Sequence, residues 1–337
     1  FTQNFATNQM SERIIVVVGS YTVPMGHTAG MGKGVTFFEF DASKPDLLTK
    51  INGAFNCGNN PASLYVNNKQ TMMYCTNEYE GYSGITTSKI DSNFNVGSQF
   101  YQSNIGDDTC FISSDTDDNF LYVASYGVYK GAAMAVFKIN PRNGLLSPKP
   151  IVYKPFIKGS NAVPERQEFA HVHCIQPNPC NPFVFYIADL GRDVIEQYRM
   201  IYNNEMDKYS TKLESCVSVN PGAGARHIAF NNKIKGVMYI SEEIANRVTV
   251  ITFCGKTGKL KKIVQSVSSL ADGDTSVSYT SHILVDNDGK YLYILNRITD
   301  TMCKFMIDSQ TGLLIENSKK LFDTQGFIPR HFSIDPS

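Results

Sequence analysis

The chain lacks tryptophan, net charge and any long apolar run, and has almost no helical periodicity. Its 31 Lys and Arg balance 31 Asp and Glu, which leaves no electrostatic footprint for nucleic acid or an anionic membrane. The apolar run Ile14-Ile15-Val16-Val17-Val18 is a strand's length, far short of a membrane span. Residues 1–12 are polar and lack the apolar core of a signal peptide, so they read as a tail. Cysteine pairs are missing too. Cys57, Cys75, Cys110, Cys174, Cys180, Cys216, Cys254 and Cys303 stand singly, which reads as reduced thiols in the cytoplasm rather than a disulfide framework. The missing tryptophan excludes little, because 42% hydrophobic and 12% aromatic residues are ample for a packed core.

What is present is a repeat. Short stretches rich in Val, Ile, Phe and Tyr are bounded by Gly, Pro, Asn and Asp, the pattern of an all-β chain. Asp286-Asn287-Asp288-Gly289-Lys290-Tyr291-Leu292-Tyr293 echoes Asp115-Thr116-Asp117-Asp118-Asn119-Phe120-Leu121-Tyr122. The landmark residues Tyr74, Tyr122, Tyr186, Tyr239 and Tyr293 recur at roughly the 50-residue interval of propeller blades. Hairpins ending Asn143-Gly144-Leu145, Thr257-Gly258-Lys259 and Thr311-Gly312-Leu313 place Gly where a turn needs positive φ. Seven units, beginning near Arg13, Asn59, Asp107, Phe169, Gly222, Thr280 and Phe327, predict a seven-bladed β-propeller with four antiparallel strands per blade. It would fill residues 13–337 as a single domain. Two insertions, Lys154 to Gln167 and Tyr202 to Thr211, interrupt the period. The seventh unit stops after one expected strand, Arg330 to Ile334, so a further C-terminal segment of roughly 25–35 residues is expected from the repeat length.

In a blade, the start of strand one and the end of strand two lie on the same face, beside the channel. Strand-one starts carry His171, His173, Arg226, His227, His282, Arg330 and His331. Strand-two ends carry Glu78, Tyr126, Asp189, Glu242, Glu243 and Arg297. Five of the six histidines therefore fall on one rim. Arginine, imidazole and carboxylate converging on a concave channel suit a small anionic molecule. The bland alternatives are plain. Rim charges such as Glu78, Glu242 and His282 can be merely solvated, and the Arg-His-apolar pattern at Arg226 and Arg330 can be a feature of strand one. Glu243 and Arg297, at one offset in adjacent blades, make either a structural salt bridge or a working pair. His171-Val172-His173 has a spacing that metal sites use, but no third ligand lies at short spacing, so no metal or cofactor is expected. Gly30-Met31-Gly32-Lys33-Gly34 precedes no helix that would bind phosphate, and no Gly-x-Ser-x-Gly elbow occurs.

The chain resembles the lactonase family of seven-bladed propellers, which includes bacterial-type 6-phosphogluconolactonases and the fungal 3-carboxy-cis,cis-muconate lactonizing enzyme. The matching segments are Asn60-Pro61-Ala62-Ser63-Leu64, Tyr122 to Gly127, His173-Cys174 with Ala188-Asp189-Leu190-Gly191, Gly224-Ala225-Arg226-His227-Ile228-Ala229-Phe230, Asp288 to Tyr293 through Asn296-Arg297, and Pro329-Arg330-His331-Phe332. Their order covers nearly the whole chain. Carried over by motif, the resemblance implies a site of His173, Arg226, Glu243 and Arg297. Departures are Phe111 where the family commonly has His, and His282 and Leu284 where Glu and His are common.

The activity this implies is hydrolysis of a sugar lactone such as 6-phosphogluconolactone, a pentose phosphate pathway step. Arg226 and Arg297 would hold the anion and the oxyanion, His173 would act as base and Glu243 would position. His171, Asp189, His227, Arg330, His331, Glu78 and Tyr126 would line the substrate site. Two alternatives stand: a cycloisomerase closing a carboxymuconate-type diacid, and a non-catalytic propeller with Lys154 to Gln167 as a partner loop or lid. The oxygen cage of a calcium-dependent lactonase is not evident. The oligomeric state is not legible.

Overall fold

The computed structural model describes residues 14–26, 28–79, 81, 84–103, 105–127 and 131–335. The polar stretch 1–12 lies outside them. Among the described residues every regular element is a β-strand, and no helix is long and apolar enough to cross a membrane. The strands form six sheets, each with its strands hydrogen-bonded in chain order. The first holds β1 (Ile14–Ser20), β2 (Gly34–Phe40) and β3 (Leu48–Lys50). The second holds β4 (Pro61–Val66), β5 (Met72–Asn77), β6 (Gly84–Ile90) and β7 (Val96–Ser103), and the third β8 (Thr109–Ser114), β9 (Phe120–Ser125), β10 (Ala132–Lys138) and β11 (Val152–Phe156). Next come β12 (Val172–Asn178), β13 (Asn181–Asp189), β14 (Val194–Asn203) and β15 (Lys208–Ser218). The last two sheets are β16 (Ala225–Phe230), β17 (Val237–Glu242), β18 (Arg247–Phe253) and β19 (Leu260–Ser268), then β20 (Thr280–Val285), β21 (Tyr291–Asn296), β22 (Thr301–Ile307) and β23 (Leu314–Asp323). The described residues fall into two compact units, those within 1–155 and 332–337, and those within 156–331.

The core lies between neighbouring sheets, and β5 shows how. Side chains alternate across a strand. Met72 and Tyr74 therefore pack with Ile112, Leu121 and Phe137 of the third sheet, while Met73 and Cys75 pack with Ile15, Val17 and Phe37 of the first. Every residue of β5 is buried, as in a strand covered on both faces. In the second unit, Val237, Tyr239 and Val250 pack likewise against Ile283, Leu292 and Phe305. The outermost strands β7 and β15 are largely exposed.

The recurring tyrosine has a mechanical cause. Tyr74 donates its hydroxyl to the Gly144 carbonyl at 2.5 Å, in the outer hairpin of the next sheet. Tyr186 does the same to Gly258 at 2.7 Å, and Tyr239 to Gly312 at 2.8 Å. These glycines have φ of +70°, +78° and +74°. A Cβ on Gly258 would lie 2.6 Å from a Val184 methyl, so both the turn and the close approach call for glycine.

Two expectations need correction. Six sheets are described, and the first has three strands rather than the four expected of each blade. Its β1 fills a second-strand role. Past β1, Thr22 and Val23 donate N–H groups to Asn60 Oδ1, ahead of β4, at 2.9 and 3.0 Å. Past β5, the second strand of its own sheet, Gly81 donates likewise to Asp107 Oδ1, ahead of β8, at 2.6 Å. The strand expected over residues 330–334 does not form.

Candidate active site

Two backbone devices set the site residues. First, the residue just past each second strand donates its N–H to the residue just ahead of the first strand. The pairs are Glu78 to Asn60, Tyr126 to Asp108, Leu190 to His171, Glu243 to Gly224 and Arg297 to Tyr279, at 2.7–3.1 Å. This fixes the register. Asp189 and Glu242 lie one residue earlier and point elsewhere, as Asn77, Ser125 and Asn296 do. Asp189 accepts from the His171 and Arg192 N–H groups and is bridged by the Arg192 guanidinium at 2.6 Å. Arg192 also pairs with Glu196 at 3.0 Å. Glu242 accepts from the Thr249 hydroxyl, and burial raises its carboxyl above the usual range. These two serve the sheet; Leu190, rather than Asp189, holds the rim register.

Second, every first strand of the four-stranded sheets carries a β-bulge near its start. The register slips between Pro61 and Leu64, Thr109 and Phe111, Val172 and Cys174, Ala225 and His227, and Thr280 and Ile283. In β12 the extra residue is His173, and in β16 it is Arg226. A bulge leaves its residue outside the ladder and re-aims the side chain. That gives the two expected site residues one structural origin.

The second unit converges on Glu243, whose side chain is 3% exposed. Its Oε2 takes Arg226 Nε at 2.8 Å and an Arg297 terminal nitrogen at 2.8 Å. Its Oε1 takes a terminal nitrogen of Arg166. Burial opposes ionisation, but Arg297 and Arg226 foremost hold the carboxyl well below the usual range. Three guanidiniums around one carboxylate leave two positive charges in excess.

Imidazoles adjoin this cluster. The His173 and His227 rings lie 5.2 Å apart edge to face, and His227 and His282 lie 5.1 Å apart. Between the last pair the two Nδ1 atoms are 2.9 Å apart, so one donates and the other accepts. An Arg226 terminal nitrogen lies 3.1 Å from His227 Nε2. His331 stacks on His282 at 3.9 Å. Burial, then the positive charge of Arg226, pushes His173 and His227 well below the usual imidazole value and His282 to about 3. Burial and His282 lower His331 too. All four are neutral at physiological pH.

Of the expected residues, Arg226, Glu243 and Arg297 meet directly, and His173 adjoins them through His227. Arg330 contributes to the positive field at His173. His171 lies 3.8 Å from Glu168. Glu78 and Tyr126 hold the rim register in the first unit, where Glu78 accepts from the Tyr21 hydroxyl. Arg166 and Tyr279 escaped sequence reading. Tyr279 lies under both Arg166 and Arg297, 5.2 and 5.4 Å from its ring centre. The one available signal was an arginine inside the insertion that opens the second unit. Among the described residues no group of three or more His, Cys, Asp or Glu side chains is arranged to hold a metal.

Blade-like sheets with bulged first strands define a β-propeller protein, with three guanidiniums gathered on one carboxylate in its second unit. The chain belongs to the lactonase, 7-bladed β-propeller family, whose model matches residues 15–337. It is 30% identical to the 6-phosphogluconolactonase of Bacillus subtilis over 96% of this chain and 86% of that one. It is 26% identical to the 6-phosphogluconolactonase of Formosa agariphila, covering 91% and 83%. A crystal structure from Bacteroides fragilis superposes with a TM-score of 0.80 at 25% identity, covering 98% of this chain and 87% of that one. The periplasmic gluconolactonase of Pseudomonas aeruginosa shares the fold at a TM-score of 0.81 and 23% identity, covering 96% and 86%.

Proposed function

We propose that this lactonase hydrolyses 6-phosphogluconolactone, with the site in the second unit as its catalyst. The observation that carries this reading is the Glu243 cluster. A buried carboxylate already saturated by three guanidiniums cannot serve as a base, but it holds those guanidiniums in place for a substrate anion. Water adds to the lactone carbonyl. Arg226 and Arg297 stabilise the oxyanion that forms, and neutral His173 takes the proton from water. The tetrahedral intermediate then collapses, the ring C–O bond breaks, and the imidazolium returns its proton to the departing oxygen. The burial and the Arg226 charge that make His173 a weak base make its imidazolium a strong acid, which suits this second step. The relatives, two of them named 6-phosphogluconolactonase, favour neither the cycloisomerase nor the non-catalytic alternative.

The test is turnover of 6-phosphogluconolactone by the full chain, with and without a chelator. Replacing His173→Ala is expected to lower kcat/KM by a factor of ~100 or more, with no effect of the chelator. Unchanged turnover in the variant would remove His173 from the base role.

A further inference from the structure

We propose that Arg166, from the inserted segment ahead of β12, selects the phosphoryl end of the substrate, with Tyr279 as the platform it shares with Arg297. This deepens the lactonase reading and rests on it. Of the three arginines on Glu243, the side chains of Arg226 and Arg297 are 3% and 12% exposed, whereas that of Arg166 is 30% exposed. Arg166 therefore sits at the solvent side of the cluster, where a substrate's charged group can compete with Glu243 Oε1 for it. The guanidinium fork of Arg166 matches the oxygens of a phosphoryl dianion. The Tyr279 ring lies about equally far from both guanidiniums and holds them to one surface.

The segment is built to present this residue. Gln167 beside it is fully buried, and its amide donates to the Leu190 carbonyl and to Asp193 Oδ1, each at 2.7 Å. Its side-chain oxygen accepts from Val163 N–H at 3.1 Å. The backbone closes on itself, Asn161 N–H to the Gln167 carbonyl and Arg166 N–H to the Val163 carbonyl, both at 2.9 Å. Asp193 ties the same segment to the approach to β16 by accepting from Gly222 and Gly224 N–H at 2.8 and 2.7 Å. One insertion thus reaches, through its neighbours, both the bulged strand that carries Arg226 and the rim position of Leu190.

The experiment is calorimetric binding of 6-phosphogluconate and of gluconate to the full chain and to Arg166→Gln and Arg166→Lys. Wild type is expected to prefer 6-phosphogluconate. Arg166→Gln should lose roughly tenfold to a hundredfold of that affinity, the weight of a charge-assisted hydrogen bond, and change little toward gluconate. Arg166→Lys, which keeps the charge, should recover part of the preference. Equal weakening toward both ligands by both variants, or no preference in wild type, overturns the proposal. Lactone turnover measured alongside judges the hydrolase reading separately: a protein that prefers the phosphorylated ligand but turns over no lactone sinks that reading alone.

Discussion

Glu78 and Glu243 occupy the same place in the repeat, one in each compact unit. Each follows a second strand, and each donates its backbone N–H to the residue ahead of the first strand. Both side chains are buried. Yet Glu78 takes a tyrosine hydroxyl, while Glu243 takes three guanidiniums. Part of the difference comes from the bulged slot of the adjoining first strand, which spans Ala62 and Ser63 in one sheet and holds Arg226 in the other; Arg297 and the inserted Arg166 supply the rest. The repeat delivers a carboxylate to the rim; its neighbours decide what that carboxylate does.

The sharpest way to break this comparison is to neutralise each carboxylate. Glu243→Gln, which strands buried positive charge, is expected to lower unfolding free energy by about 3–5 kcal/mol. Glu78→Gln, which keeps an acceptor for the Tyr21 hydroxyl, should cost less. Urea titration reads both, and equal losses would end the contrast. The hairpin glycines should instead show no contrast between units. Gly144→Ala and Gly258→Ala each force a Cβ into a neighbour at positive φ, at a cost of about 1–3 kcal/mol.

Acid should expose the second unit's imidazoles. His173, His227, His282 and His331 have folded values below 6.5, so the unfolded chain binds more protons once pH falls below about 6.5. Stability is then lost on acidification, by about 1.4 kcal/mol per pH unit for each imidazole involved. Glu243, held low, contributes fully above about 4.5 and loses that contribution progressively as pH falls from there toward its lowered folded value. Replacing His227 and His282 with Gln should flatten the slope of thermal midpoint between pH 6.5 and 5, and an unaltered slope would count against this account. The smallest effect is Tyr74→Phe, about 1 kcal/mol for one hydroxyl bond; Tyr186→Phe should cost somewhat more, because Asn178 also donates to that hydroxyl.

Much of this was legible in the sequence. Tyrosine and the hairpin glycine recur because one bonds to the other, so the repeat could be read without knowing why. Glu243 and Arg297 could be gathered because each follows its landmark tyrosine by the same offset, and Arg226 because it stands at the start of a first strand. The bulge left no such mark: its slot accepts Cys110, His173 and Arg226 alike, so no residue type announces it. Asp189 follows Tyr186 by only three residues, whereas the four-residue offset kept by Glu78, Tyr126, Glu243 and Arg297 falls on Leu190. Arg166 lies in an insertion outside the period, where only the folded tie of Gln167 to Leu190 and Asp193 shows where it comes to rest.

Because the bulged residue contributes nothing to the ladder beside it, its side chain is a tenant rather than a beam. One occupant can be exchanged for another without altering the ladder pairing of the strands. A fold assembled from such sockets can acquire or shed a reactive group one sheet at a time, and the imidazole of β12 and the guanidinium of β16 are two occupants of the same kind of seat.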